Sequence, residues 1–125
     1  MQHFRKLITE EYKIFHMIYT DGSVDDSSAG CGIFSANTSN NIKLRENTSI
    51  FSAEAIAITI ASEEGTVTDR PNVIFTDSAS VLWRKAAIDS VSENRSLVYC
   101  WITGHCGIRG NETADQLANE GRRIK

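Results

Sequence analysis

Two stretches of this chain share one pattern: residues 14–23, IFHMIYTDGS, and residues 73–80, VIFTDSAS. Each begins with an apolar, aromatic and β-branched run of the kind that forms a buried strand. Each run stops at Thr-Asp and gives way to small polar residues, which places Asp21 and Asp77 at the carboxyl ends of two predicted strands. A carboxylate at the end of a buried strand is unfavourable unless a partner compensates its charge. The pattern therefore predicts a common partner for these two acids.

The rest of the chain predicts an α/β fold with one mixed sheet. Three early strands joined by short polar turns are typical of an antiparallel meander, whereas later strands alternate with helices, which is typical of parallel pairing by right-handed crossovers. An alanine-rich helix is expected to begin near Ser49 or Ser52. Strands are predicted at 14–20, 29–36, 42–46, 73–76 and 97–102, and helices at 51–64, 79–88 and 111–123.

The composition limits the class of protein and its location in the cell. A chain of 125 residues is long enough for one domain with a core. Three cysteines are an odd number without framework spacing, which favours free thiols in a reducing compartment. No apolar run approaches the roughly 18 residues of a membrane span. We therefore expect an intracellular protein, in nucleus or cytoplasm, with no membrane association. The net charge of −3 shows no basic footprint for tight nucleic-acid binding by this domain alone.

Two further acids join the first pair. Parallel strands at 14–20 and 73–76, if neighbours, would bring Asp21 and Asp77 within about 5 Å, a repulsion that a divalent cation removes. Glu54 is the only charged residue between positions 51 and 62, although taken alone it is better explained by a solvent-facing position on a half-exposed helix. Asp115, early in the last helix, has an alternative role as an acid that favours the helix dipole.

Four carboxylates on converging elements suit hard, oxygen-seeking ions such as magnesium or manganese. Such a site indicates two-metal phosphoryl chemistry, with the ions about 4 Å apart. For Asp21 and Asp77 a simpler interpretation, as turn-forming or helix-capping residues, stays open at this point.

Four blocks carry a family resemblance: YTDGS (19–23), AEAIAI (53–58), FTDS (75–78) and WITGHCGIRGNETADQLA (101–118). In this order they resemble the ribonuclease H type 1 domain, most closely the version carried by non-LTR retrotransposon polyproteins. The resemblance covers residues 14–123. It implies a ribonuclease H-like fold, a mixed five-stranded sheet with three antiparallel and two parallel strands flanked by helices. It also implies endonucleolytic cleavage of the RNA strand of RNA–DNA hybrids.

The resemblance assigns roles to seven residues. The acidic tetrad Asp21, Glu54, Asp77 and Asp115 would hold two Mg²⁺ ions, which Mn²⁺ could replace, with Asp21 bridging them. His105 would assist proton movement or product release, unless it is a structural loop histidine. Gly22 and Ser23 would approach the hybrid backbone, and the 2′-hydroxyl would distinguish RNA from DNA.

Two departures from the family affect substrate binding. The segment from Asp77 to Trp101 is shorter than in most relatives, and the basic handle with which some cellular relatives grip the hybrid is absent. A tethered reverse transcriptase domain could supply affinity through effective concentration. We interpret residues 1–13 as a lead-in or connector and residues 14–125 as the domain, and we expect a monomer.

Four alternatives remain. The chain could be a catalytically weak or inactive remnant that binds hybrids or a protein, or a nuclease of the same fold acting on DNA or structured RNA. A zinc site at Cys100, His105 and Cys106 is disfavoured because a second cysteine pair is missing. Trp83 and Trp101 could stack on bases, although a core position suits Trp101 better.

Overall fold

A computed structural model of the chain describes residues 16–65, 72–78, 97–102 and 109–125. In chain order the elements are β1 (His16–Val24), β2 (Ala29–Phe34), β3 (Ser39–Leu44), α1 (Ile50–Gly65), β4 (Asn72–Thr76), β5 (Leu97–Trp101) and α2 (Arg109–Arg122). The predictions for the connector 1–13, the helix 79–88, Trp83, His105 and Cys106 lie outside the described residues.

The strands form one five-stranded sheet in the order β3-β2-β1-β4-β5. β1 pairs antiparallel with β2, and β2 pairs antiparallel with β3. On the other side β1 pairs parallel with β4, which pairs parallel with β5. The predicted mixed sheet flanked by helices is therefore confirmed, and β1 is the strand at which the meander meets the parallel half.

The predicted end of the first strand was wrong. β1 does not stop at Thr20 but continues to Val24, where it pairs with Ala29 of β2. On its parallel side the ladder with β4 ends at the pair Tyr19↔Phe75. The antiparallel partner holds the strand in place after the parallel partner has ended. Asp21 consequently lies within β1, beside the end of β4, and the residues after it are strand rather than turn.

Two other boundaries differ from the prediction for similar reasons. β3 begins at Ser39, within the predicted polar turn, because backbone pairing with Phe34 of β2 requires no apolar side chain. This edge strand alternates between exposed and half-buried residues. α2 begins at Arg109, two residues early, because Gly110 packs against the ring of Tyr19 and so belongs to the folded helix.

The helices cover opposite faces of the sheet, since successive β1 residues point to opposite sides. Gly22 of β1 lies against α1, whereas Tyr19 and Ser23 contact α2. The main apolar cluster lies on the α1 face and consists of Ile18, Ile33, Ile58, Ala61 and Ile74. Among the described helices none is long and apolar enough to cross a membrane.

On the other face, α2 packs unusually close to the sheet because glycines leave room for it. A Cβ built on Gly32 would lie 2.3 Å from the carbonyl oxygen of Ala114, and one on Gly30 would lie 2.2 Å from the amide nitrogen of Arg122. A third glycine, Gly121 on the helix itself, faces the backbone of Ile42 in β3. The contact between helix and sheet is therefore backbone against backbone.

The amino end of α1 is capped by Ser49, one of the two serines predicted. Its Oγ accepts a hydrogen bond from the backbone N–H of Ser52 at 3.0 Å. This satisfies one of the amide groups that the first turn of a helix leaves without a partner.

Replacing Ser49 by alanine is expected to lower the free energy of unfolding by about 1 kcal/mol, a fall in Tm of roughly 4 °C. Thermal unfolding followed by circular dichroism measures it. Thr59→Ala is the matched control, because the exposed Thr59 hydroxyl only donates to a carbonyl within the same helix. Equal losses in the two variants would contradict a capping role.

Candidate metal centre

Three acidic side chains meet in a notch beside β1, at the point where β4 ends. Asp21 comes from β1, Asp77 follows β4, and Glu54 comes from the second turn of α1. One carboxylate oxygen from each lies within 4.8 Å of the others. Asp21 and Glu54 are buried and Asp77 is half-buried. Oxygen ligands at this separation can hold a divalent cation.

Glu54 reaches the notch because α1 lies directly over Gly22. A Cβ on Gly22 would be 2.9 Å from the Cβ of Ala53 and 2.9 Å from the backbone nitrogen of Glu54. A larger residue at position 22 would push the helix, and with it the Glu54 carboxylate, away from Asp21. The structure therefore shows Gly22 as a packing residue of the site; its predicted approach to the hybrid backbone stays a prediction.

Asp115, the fourth carboxylate predicted from the sequence, interacts with Asp21 and contributes to the raised pKa of the Asp21 carboxyl group. It is not one of the three acids whose oxygens lie within 4.8 Å of one another. The amino end of α2 is held in place by Gly110, whose lack of a side chain leaves room for the ring of Tyr19. That ring stacks on Phe75 of β4, with centroids 4.9 Å apart. The neighbouring strands β1 and β4 thus position the helix that carries Asp115.

Without a cation the site carries unfavourable electrostatics. Burial, followed by the charges of Glu54 and Asp77, raises the pKa of Asp21 far above its ordinary 3.8. Burial and the charge of Asp77 also raise the pKa of Glu54, although hydrogen bonds from Asp21 and the Gly22 amide oppose the rise. The protein alone therefore favours protonated carboxyl groups, and a bound cation would favour their ionised form.

The hydrogen bonding of one carboxylate oxygen indicates whether these residues suit a metal ion. Oε2 of Glu54 is buried and has no hydrogen-bond partner among the residues that the structure describes. A buried carboxylate oxygen without a donor is costly, and a cation in the notch would satisfy it. With Asp21 and Asp77 supplying further oxygens, the donor set fits a hard divalent ion such as Mg²⁺.

Ser23, predicted to contact substrate, is used in a different way. Its hydroxyl donates to Oδ1 of Asn119 at 2.6 Å and accepts from Nε of Arg122 at 3.0 Å. Arg122 also forms an ion pair with Asp25, in the turn that follows β1. These residues tie the end of β1 to the last turn of α2, so Ser23 has a structural role here and its contact with a substrate stays a prediction.

Sequence reasoning missed the apolar side of the site. Ile50 and Phe51, in the first turn of α1, line an open groove together with Glu54 and Asp77. Their positions four and three residues before Glu54 were the available signal, since such residues share a helix face. On α2, sequence reasoning gave no separate role to Asn111, which is 3% exposed and whose Oδ1 has no hydrogen-bond partner within the described part of the chain.

No family model matches this chain. Curated proteins do: a ribonuclease H of Tropheryma whipplei (strain Twist) is 34% identical, over 42% of this chain and 49% of the relative. A ribonuclease H of Nitrosomonas eutropha is 45% identical over 40 residues, 32% of this chain and 24% of the relative. In these matches the chain spans less than half the length of its relatives.

Solved structures share the fold over most of the chain. The foamy viral protease-reverse transcriptase in complex with dsDNA matches with a TM-score of 0.73 and 23% identity, covering 89% of this chain and 96% of that one. LC11-RNase H1, isolated from compost by a metagenomic approach, matches with a TM-score of 0.66 and 20% identity, covering 87% and 96%. The foamy viral protein in complex with RNA/DNA hybrid matches with a TM-score of 0.73 over 20% of its chain.

The solved structures establish a ribonuclease H-like fold, and the curated relatives that match parts of the chain are named ribonuclease H. The mixed sheet agrees with the fold class expected from the sequence. A viral reverse transcriptase is among the structural neighbours, whereas the expected relationship to non-LTR retrotransposons stays a prediction.

Proposed function

We propose that this chain is a divalent-metal-dependent endonuclease that cleaves the RNA strand of RNA–DNA hybrids. The observation that carries the proposal is the convergence of Asp21, Glu54 and Asp77 within 4.8 Å on a ribonuclease H-like fold. Asp115, which interacts with Asp21, would supply the fourth carboxylate. The curated relatives named ribonuclease H support the same activity.

The four carboxylates share one task in this proposal. Asp21, Glu54, Asp77 and Asp115 would hold the metal ions, and Mg²⁺ is the ion we propose, with Mn²⁺ as a substitute. When bound, the pair of ions supplies an activated water and stabilises the leaving 3′-oxygen. Asp21 and Glu54 must first lose the protons that burial favours. His105 remains our proposed group for proton movement or product release.

The hybrid is the proposed substrate because one structural neighbour was solved in complex with an RNA/DNA hybrid. That neighbour is part of a protease-reverse transcriptase, which supports a tethered reverse transcriptase domain as a partner of this chain. Tethering would compensate for weak binding by a domain whose net charge is −3. We further propose a retrotransposon origin, an intracellular location and a monomeric domain.

The test is cleavage of a hybrid labelled on its RNA strand, with Mg²⁺, Mn²⁺ or EDTA. Cleavage of the RNA strand is expected with either metal and not with EDTA. Asp77→Asn is expected to lower the rate by roughly 1,000-fold, since losing a metal ligand removes several kcal/mol of transition-state stabilisation.

Asp26→Asn is the matched control, because this acid is exposed in the turn between β1 and β2 and should leave the rate unchanged. Equal cleavage by wild type and Asp77→Asn would show that the site is misassigned. If the folded protein binds the hybrid but never cleaves it, even with Mn²⁺ at low salt, the chain is a hybrid-binding module and not an enzyme. Preferential cleavage of duplex DNA would show that the substrate is duplex DNA and not the hybrid.

A further inference from the structure

An apolar wall borders the carboxylate cluster. Ile50 and Phe51 remain 48% and 38% exposed, although both are large apolar side chains. They line an open groove of about 280 Å³, and the other described residues that line it are Glu54, Asp77 and Ser78. Single exposed apolar residues are common on protein surfaces, but two neighbours beside a cluster of acids need a separate explanation.

Helix geometry explains why the wall stands where it does. Ile50 and Phe51 precede Glu54 by four and three residues, so they lie on the same face of α1, about 4.5–6 Å closer to the amino end of the helix. Further along this helix the buried residues Ala57, Ile58 and Ala61 cover the sheet. The first turn extends the helix beyond that covered region, so its apolar side chains face the groove.

The identity of the group that lies beside Ile50 and Phe51 rests on the proposed function. A phosphodiester held at Asp21, Glu54 and Asp77 would have a sugar as its nearest neighbour on each side, while the bases stay stacked inside the duplex. A hybrid with A-like geometry displays its sugar edges in a wide, shallow minor groove that side chains can reach. The group that can occupy the space beside Ile50 and Phe51 is therefore a furanose ring.

We propose that Ile50 and Phe51 form an apolar wall that packs against the furanose of the nucleotide next to the scissile phosphate. Neither side chain has a polar atom, so the contact is made by carbon atoms and cannot include a hydrogen bond to the 2′-hydroxyl. At this position the chain recognises the shape of the sugar, and discrimination between RNA and DNA must come from other groups.

The chemistry of the wall predicts how it contributes. An apolar contact releases no counterions, so it adds affinity that does not fall with salt, unlike contacts to phosphates. It does not touch the reacting atoms, so it affects substrate binding rather than the chemical step. In a chain with a net charge of −3, such salt-independent affinity offsets weak electrostatic attraction.

The experiment compares Phe51→Ser with Ile124→Ser on the labelled hybrid. Ile124 is 41% exposed, but it follows the end of α2 and does not line the groove. Phe51→Ser is expected to raise KM roughly fivefold, the effect of losing one or two methylene equivalents of apolar contact, with kcat and the salt dependence of KM unchanged. Phe51→Leu should largely restore KM, and Ile124→Ser should resemble wild type.

An unchanged KM in Phe51→Ser, or a loss confined to kcat, would contradict the proposed contact between the apolar wall and the furanose. The second result would mean that Phe51 only supports Glu54. If the wild type itself does not cleave, the proposed function fails. Binding of the same hybrid, measured by fluorescence anisotropy, still tests whether the apolar wall contacts the hybrid. Weaker binding by Phe51→Ser than by Ile124→Ser would then support the contact, and equal binding would refute it.

Discussion

Replacing Asp21 by asparagine is expected to make the metal-free protein more stable while it abolishes hybrid cleavage. Asp21 lies in β1 at the centre of the site, and its carboxyl group interacts with those of Glu54, Asp77 and Asp115. Asparagine has nearly the same shape, carries no charge, and has amide protons that can replace the carboxyl proton shared with its neighbours. We expect about 2 kcal/mol of added stability, or a rise in Tm of roughly 5–10 °C in EDTA.

The same substitution should remove part of the dependence of stability on pH. The folded-state pKa values of Asp21 and Glu54 are raised above their ordinary 3.8 and 4.5. Between those ordinary values and the raised ones the folded protein holds protons that the unfolded chain has lost. The contribution of these two groups to stability without metal is therefore greatest below about pH 4 and falls as the pH rises through neutrality. Asp21→Asn should flatten this fall.

Thermal unfolding at pH 5 and pH 8, in EDTA and in Mg²⁺, measures both effects. Mg²⁺ should raise the Tm of the wild type at pH 8 and leave that of Asp21→Asn almost unchanged, since a ligand stabilises only the state that binds it. The cleavage rate should fall by at least about 1,000-fold. A lower Tm of Asp21→Asn in EDTA would mean that the clustered carboxylates do not destabilise the fold.

Gly32→Ala is expected to be the most destabilising single substitution considered for this chain. A methyl group at position 32 would lie 2.3 Å from the carbonyl oxygen of Ala114, 2.5 Å from the amide nitrogen of Ala118 and 2.7 Å from the Cβ of Leu117. The first two are backbone atoms of α2, which no rotamer change can move aside. The helix must shift as a whole, at a cost of about 3 kcal/mol or more, and Tm should fall by roughly 10–15 °C.

Because Asp115 is carried by the same helix, Gly32→Ala should also reduce cleavage in the protein that remains folded. Chemical unfolding followed by fluorescence measures the stability, and the hybrid assay measures the activity. Cys31→Ala is the control on the adjacent residue of β2: Cys31 is fully buried, and its loss creates space rather than a clash. If Gly32→Ala costs no more than Cys31→Ala, α2 is not held by close backbone contact.

The sequence sufficed for the order of the described elements and for the three acids that meet beside β1. Hydrophobic runs that end in Thr-Asp are local signals, and adjacent parallel strands bring their ends to one edge of a sheet, so the meeting of Asp21 and Asp77 followed from pattern alone. Glu54 and Asp115 were weaker signals individually. Their position beside Asp21 depends on how closely each helix approaches the sheet, which the resemblance supplied.

What the sequence could not show depends on contacts between distant segments. The extension of β1 to Val24 results from its antiparallel partner, not from its own residues GSV. Gly30 and Gly32 could be read only as weak strand formers, although each leaves room for the α2 backbone. The hydrogen bonds of Ser23 join residues 96 and 99 positions away, a distance at which local patterns carry no information.

The long separation between α2 and the strands it covers also affects how the molecule forms. Ser23 and Asn119 are 96 positions apart, so the entropy of closing this loop must be overcome before the contacts that compensate it exist. The meander β1–β3 can pair locally, whereas its glycine-lined face stays uncovered until α2 has been synthesised. Asp115 arrives on that same late segment. A nascent chain therefore carries at most three of the four carboxylates, so the complete site forms only after the fold closes.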